Sequence, residues 1–264
     1  KTYFIVVIDS LDSDYASAFN YKIQALFFKL CYWVADSCII VSQSDLKNIF
    51  KVSSLKKKLS YSEHVINTKL FIADVPKEKI FTSIVWMGDE GNVVRKGVDK
   101  ALQIFAELKK IPEFVDYRFV IIGRKGEGEV LVRSIIDKYN LKGSVELKGE
   151  VSEEDKINLL KQSKYYFQLS LYEGFGLAAL EALCANNIII HSGKGGLANP
   201  IYKEQLLFDI DNDFDSELLK LVNKLACFTP ITSYDNLLEY YDIQRRKDDF
   251  EAIIVNGKSN YKLK

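Results

Sequence analysis

The chain has 264 residues, 48% of them hydrophobic and 27% charged, with 36 basic side chains against 36 acidic ones. That length holds one large or two modest domains with a sizeable core, and the balanced charge gives no ground for a nucleic-acid partner spread over the surface. Four cysteines without metal-ligand spacing and only two histidines, His64 and His191, argue against a metal site. Buried reduced thiols are expected instead, and with them a cytoplasmic chain. No apolar run reaches the ~18 to 20 residues of a membrane-spanning helix, and no signal-peptide pattern follows Lys1.

Thr2 to Ile8 reads as a buried strand and Asp12 to Tyr15 as a polar loop. Asn20 to Ala35, rich in Phe, Leu and Tyr, predicts a helix, read as buried in preference to membrane-touching. Ser37 to Ser42 is a second short strand, and Gln43 to Lys51 sets Leu46, Ile49 and Phe50 on one helical face. The basic run LKKKL, Leu55 to Leu59, could meet anionic lipid head groups. A solvated surface turn is the preferred reading, because stable attachment takes a longer basic cluster or a second anchor. Pro76 and the charges around it mark a linker, and the domain boundary is placed near Val75.

From Phe81 onward strand and helix alternate. Phe81 to Met87, Tyr117 to Ile122, Ser144 to Lys148, Lys164 to Ser170, Asn187 to His191 and Leu206 to Ile210 predict strands. Lys96 to Lys110, Glu129 to Tyr139, the segment capped by Ser152 and reaching Gln162, the run from Leu177, and Asp215 to Cys227 predict helices. Such alternation implies a parallel sheet covered on both faces, with ligands at the carboxyl ends of its strands. After Pro230, Tyr234 to Ile254 carries a helical apolar stripe expected to pack back on the body, and the last residues read as a tail.

The stretch LYEGFGLAALE, Leu171 to Glu181, combines a glycine turn, a helix start and two carboxylates. Gly174 and Gly176 permit backbone conformations closed to other residues, and a helix beginning near Leu177 points unpaired N–H groups at the turn, which favours an anion such as phosphate. Glu173 and Glu181 flank that position, ~12 Å apart if the rise between them is helical, and suggest polyol recognition. GDEGNVVRKG, Gly88 to Gly97, follows a strand and sets Arg95 and Lys96 before a helix, a candidate diphosphate clamp whose simpler alternative is an exposed turn. Gly123 to Gly128 and Ser192 to Gly196 add two more glycine loops at strand ends, so four loops are expected on one rim. His191, closing an apolar strand, reads as a satisfied structural histidine rather than a base.

The order of these motifs resembles a known family. EGFGLAALE, with seven residues between Glu173 and Glu181, resembles the signature of retaining GT-B glycosyltransferases that use nucleotide-sugar donors. GDEGNVVRKG is similar to their first donor loop, FVIIG to the next strand, VELKGEVSEED to the segment that meets the nucleotide base, and SGKGG to the last glycine loop. The likeness runs from about Ser83 to Ile201, and IIVSQSDLKNIF with the stretch ending at Phe71 is similar to the closing half of the family's first domain. It implies a sugar moved from a nucleoside diphosphate to an acceptor hydroxyl with retained anomeric configuration, with no metal or other cofactor. Glu173 is implied as the catalytic residue beside the donor sugar hydroxyls, Lys96 on the diphosphate and Glu181 on the ribose. Gly174, Phe175, Gly176 and Leu177 would turn backbone amides to the phosphates, Gly149 and Val151 would lie along the base, and Gly88, Arg95 and Gly123 would complete the donor loops. Asp89 stands where the family usually has Arg, so that Arg95 would supply the second cation; His64 replaces a usual Gly and Asn199 a usual Glu. The family's first glycine loop and acceptor-side histidine have no counterpart, so an N-terminally truncated chain is expected.

The sequence therefore predicts an α/β chain of GT-B type. Residues 1–75 would be a partial Rossmann-like acceptor-side domain, 76–230 a doubly wound donor-binding domain and 231–264 a helix and tail. The expected partners are a nucleotide-sugar donor such as a UDP-sugar and a carbohydrate or lipid-linked acceptor, in polysaccharide or glycoconjugate synthesis, with peripheral membrane contact as an option. The alternative is a non-catalytic nucleotide-sugar-binding or partner subunit lacking the acceptor half; an epimerase or phosphorylase of the same fold suits the Glu173 to Glu181 motif less well.

Overall fold

The computed structural model describes residues 5–8, 26, 30–31, 33–41, 59–72, 75–228 and 235–256. The chain divides into two compact units, Lys1–Asn67 with Tyr240–Lys264, and Thr68–Glu239. The cuts fall ahead of Val75 and within the stretch read as the C-terminal helix, so the tail helix belongs to the first unit.

In the first unit β1 (Ile5–Ile8), β2 (Ser37–Ile40) and β3 (Leu59–Tyr61) form a parallel sheet in that order. All four residues of β2 are buried, as suits an apolar run without alternation in the middle of a parallel sheet. In the segment Asn20 to Ala35, residues 26, 30–31 and 33–34 are helical, yet Leu26, Leu30, Trp33 and Val34 are exposed, Trp33 by 80%. Burial is thus not the state of this face: an apolar composition reports area in need of cover and not what covers it. Gln43 to Lys51 and the lysines of LKKKL lie outside the described residues.

The second unit is built on six parallel strands in the order β6-β5-β4-β7-β8-β9. They are β4 (Glu78–Ile84), β5 (Arg118–Ile122), β6 (Val145–Gly149), β7 (Ser163–Gln168), β8 (Ile188–His191) and β9 (Leu206–Leu207). The chain winds outward from β4 to β6, returns past its starting strand to β7, and winds outward again. The reversal between β4 and β7 is the switch point at which an open α/β sheet leaves a crevice beyond its strand ends. The strand expected over Leu206 to Ile210 pairs only at Leu206 and Leu207.

Helices α1 (Glu90–Arg95), α2 (Val98–Leu108), α3 (Glu129–Lys138), α4 (Glu153–Gln162) and α5 (Leu177–Cys184) connect the strands, and α6 (Phe214–Cys227) follows β9. The helix expected over Lys96 to Lys110 is α2, and α1 is an additional helix in what the sequence presents as a loop. The Asp89 side chain accepts the Asn92 N–H at 2.6 Å and caps α1, while Gly97, at φ 69°, separates it from α2. Phe81 lies at the middle of the main core, stacked on Tyr165 at 4.6 Å and on Phe167 at 5.1 Å, with Phe105 edge-on at 5.5 Å. Its neighbour Ile80 points to the opposite face, against Val120, Ile122 and Leu159, following the two-residue period of a strand.

Lys77, just ahead of β4, donates to the carbonyls of Leu160 at 3.3 Å, Lys161 at 2.8 Å and Ala185 at 2.5 Å. These carbonyls belong to the C-terminal ends of α4 and α5, where no intrahelical donor remains. Burial lowers the Lys77 pKa to about 8.

The chain ends its described course in α7 (Asp235–Tyr240) and α8 (Ile243–Asn256), two helices where one was expected. In the first unit Ile253 of α8 packs with Ile39 and Val41. There Tyr61 and Tyr241 donate to the buried Glu63 at 2.6 and 3.0 Å, Ser62 donates to Asp249 at 2.6 Å, and Arg246 to the Ser62 and Glu63 carbonyls at 2.7 and 2.8 Å. Cys38 and Cys184 are buried, whereas Cys31 is half-buried and Cys227 exposed, so the thiols are not uniformly interior. Cys227 sits at the last turn of the amphipathic α6, on its open side.

Candidate functional site

Beyond the carboxyl ends of β4 and β7, the turn from Ser170 to Phe175 carries Glu173. Its Oε2 accepts three hydrogen bonds, from Lys96 Nζ at 2.8 Å, Gln168 Nε2 at 3.1 Å and Ser170 Oγ at 3.1 Å. The Lys96 and Glu173 side chains are only 22% and 15% exposed, so their attraction is weakly screened. Lys96 is delivered by the end of α1, which is pinned to this turn where Leu171 N–H donates to the Arg95 carbonyl at 2.8 Å.

Gly176, at φ 90°, turns the chain into α5, and no side chain caps that helix start. By contrast Ser152 caps α4 and Asp213 caps α6. The first amides of α5 are therefore left for an anion beside Lys96, with the positive end of the helix dipole behind them. Phe175 is buried and anchors the turn, whereas Leu177 is 41% exposed. The SGKGG loop packs beneath the same turn. Gly196 N–H donates to the Glu173 carbonyl at 2.6 Å, and a Cβ on Gly195 would run into the Glu173 backbone, which lies 3.0 Å away at its nitrogen. Lys194 of this loop is tied to Asp209 and Asp211.

Glu181 lies on α5 and is bonded to Lys156 at 2.9 Å; Lys156 also holds Glu153 at 2.7 Å. Glu181 and Lys156 are each 16% exposed. Burial raises the Glu181 pKa against the opposing pull of Lys156. Burial would lower the Lys156 pKa, but its bonds to Glu153 and Glu181 outweigh it and the pKa is raised.

The remaining rim residues are spread along the strand ends. Gly123 N–H donates to the Gly149 carbonyl at 2.8 Å, joining the loop after β5 to the end of β6 beside Val151, and the Lys125 side chain lies over Gly149. Gly88 is covered by the Trp86 ring. Arg95 points its guanidinium at Asn92 Oδ1, 2.6 Å away, rather than at Glu173. Asp89, the departure from the family pattern, is the α1 cap. His191 is 5% exposed, packs its ring 5.6 Å from that of Tyr202, and has no hydrogen-bond partner at either nitrogen. It is not the satisfied histidine expected, and burial lowers its pKa to about 4.

Sequence reasoning missed Gln168, Ser170 and Lys156. A single amide in the apolar run YYFQLS was the available signal for Gln168; Lys156 reads as one more cation on a solvated helix face. Among the described residues no group of three or more His, Cys, Asp and Glu side chains stands placed to hold a metal ion, and no helix is long and apolar enough to cross a membrane.

The fold is of GT-B type. It matches sucrose-phosphate synthase of Thermosynechococcus elongatus with a TM-score of 0.67 and 21% identity over 90% of this chain and 60% of that one. It also matches HepE of Anabaena in complex with UDP, with a TM-score of 0.72 and 12% identity over 96% of this chain and 72% of that one. The profile of the family described as Glycosyl transferases group 1 covers residues 91–226, and the chain belongs to that family. A relative, the GDP-mannose:cellobiosyl-diphosphopolyprenol alpha-mannosyltransferase of Xanthomonas oryzae, is 32% identical over 163 residues, which are 54% of this chain and 40% of that protein. The chain thus spans less than half the length of that relative.

Proposed function

We propose that this chain binds a nucleoside-diphosphate sugar and carries the donor half of a retaining glycosyltransferase that works without a metal ion. The observation that supports it most is the Lys96–Glu173 pair, 2.8 Å apart beside the uncapped start of α5. In this reading the diphosphate takes Lys96 and the α5 amides, Glu173 faces the sugar hydroxyls, and Glu181 with Lys156 takes the ribose. The bond from the anomeric carbon to the phosphate oxygen breaks, the acceptor oxygen bonds that carbon on the same face, and its proton passes to the departing phosphate. Lys96 and the helix start meet the charge that develops there, which is the usual protein substitute for a cation. Arg95 joins them only by giving up Asn92. The Xanthomonas relative is named for a diphosphopolyprenol-linked acceptor and a GDP-sugar. A lipid-linked carbohydrate acceptor, met at the cytoplasmic surface of a membrane, is therefore the acceptor class we favour.

Calorimetry with UDP, GDP, UDP-glucose and GDP-mannose tests the donor half. Binding is expected, and Lys96→Ala should weaken it by about 1.5 to 3 kcal/mol through a lost charge-assisted bond. A folded protein that takes none of the four removes the reading. Binding without turnover when acceptor is supplied would favour a non-catalytic donor-binding subunit.

A further inference from the structure

Of the three groups donating to Oε2 of Glu173, Lys96 is the one that the donor diphosphate would also engage. When Lys96 turns to phosphate, the carboxylate keeps Gln168 and Ser170. We infer that Gln168 is a positioning residue that holds Glu173 with its other oxygen, Oε1, turned to the donor sugar, and that Tyr166 fixes the amide that does so. This rests on the donor-binding reading above.

The hydrogen bonds leave one consistent arrangement. Tyr166 Oη accepts the Ile84 N–H at 3.3 Å, and it donates its own proton to Gln168 Oε1 at 3.1 Å. The carbonyl end of the amide is thereby assigned. The two hydrogens on Nε2 then go to Ser170 Oγ at 2.8 Å and Glu173 Oε2 at 3.1 Å, and Ser170 passes its hydroxyl proton to the same carboxylate oxygen. A flipped amide would set a carbonyl against the carboxylate and lose the bond to Glu173, since an ionised carboxylate only accepts, whereas the two hydroxyls can reverse direction. Tyr166, Gln168 and Ser170 are 0%, 5% and 0% exposed, so water offers no replacement partner. Among the described residues nothing bonds to Glu173 Oε1. Gln168 sits between Phe167 and Leu169 in a strand that is otherwise apolar there, where an amide is costly to bury unless its bonds are made. Its bonds lead from the β4 backbone to the candidate catalytic carboxylate, which is how a site residue on a loop gains the rigidity of a strand.

The test compares each nucleotide sugar with its own nucleoside diphosphate by calorimetry, UDP-glucose against UDP and GDP-mannose against GDP. In the unaltered chain the sugar should improve affinity about tenfold for the preferred pair, the worth of hydrogen bonds to a fixed carboxylate. Gln168→Leu should bring that ratio to about one while moving the nucleoside diphosphate itself by less than about twofold. Tyr166→Phe should lower the same ratio by about threefold, and add nothing on top of Gln168→Leu. Thermal unfolding identifies a variant that does not fold, and Tyr166→Phe alone decides if Gln168→Leu is lost that way. An unchanged ratio in folded variants overturns the inference, as does an equal fall for sugar and diphosphate, which would mark a merely structural residue. A sugar that adds nothing in the unaltered chain takes Glu173 off the sugar and the inference with it, while nucleotide binding stands. Failure to bind any nucleotide rejects the donor reading itself.

Discussion

Glu173 and Glu181 flank one helix start, each holds a lysine, and the two pairs are built differently. Glu173 is a loop carboxylate with three donors on one oxygen, of which only Lys96 is charged. Glu181 is a helix carboxylate bonded to Lys156, itself shared with Glu153, and burial raises its pKa. Fixed neutral donors go on holding a carboxylate after its cation leaves; a buried carboxylate with one cation cannot spare it. Lys96 is thus suited to exchange between Glu173 and a phosphate, whereas Lys156 is suited to stay.

The largest expected effect tests the first of these acids. Glu173→Gln should lower sugar transfer about 10²- to 10³-fold, measured as nucleoside diphosphate release with acceptor present, if that carboxylate serves the transition state. An effect confined to KM would make it a binding residue only. Next, Lys156→Met should destabilise the fold by about 2 to 3 kcal/mol in urea unfolding at pH 7, while Lys96→Met costs under about 1 kcal/mol because Glu173 keeps two donors. The sign with pH follows from the raised Glu181 pKa: folded-state stability from such a group is present at low pH and lost as pH rises through the folded value. The Lys156→Met deficit should therefore shrink toward pH 4.5, and equal costs for the two lysine variants would erase the contrast.

His191, on the strand beside β7, is a third titratable group of the unit, and burial outweighs the opposing pull of the Tyr202 backbone on its pKa. Its pKa falls from 6.5 to about 4, so its contribution is present above pH 6.5 and lost as pH drops toward 4. His191→Phe should flatten that part of the stability curve by up to about 2 kcal/mol. The smallest effect is at Asp89. Asp89→Ala should cost about 1 kcal/mol by removing the α1 cap, visible as a lower thermal midpoint, with a smaller loss of donor affinity through Lys96.

The strand and helix succession from β4 to β8 was legible because short apolar runs bounded by glycines and charges alternate with stretches of 3.6-residue period, the pattern of a parallel sheet covered by helices. Lys96, Glu173 and Glu181 were legible as spacing within one resemblance. Helix α1 was not, since EGNVVR has no apolar stripe and forms on the strength of the Asp89 cap and its contact with Leu171. Gln168 and Lys156 were not, because their roles depend on a neighbouring strand and a neighbouring helix, which no local window contains. The face of Leu26, Leu30, Trp33 and Val34 went astray for the same reason, read from its own composition alone.

Lys77 gives the second pair a mechanical dimension. One ammonium ties together the C-terminal ends of α4 and α5, which carry Lys156 in the first turn of α4 and Glu181 one turn before the end of α5. Stapled there, the two helices keep a fixed spacing, and with it the spacing of the Lys156–Glu181 pair. Removing that ammonium would loosen the pair without altering either of its members.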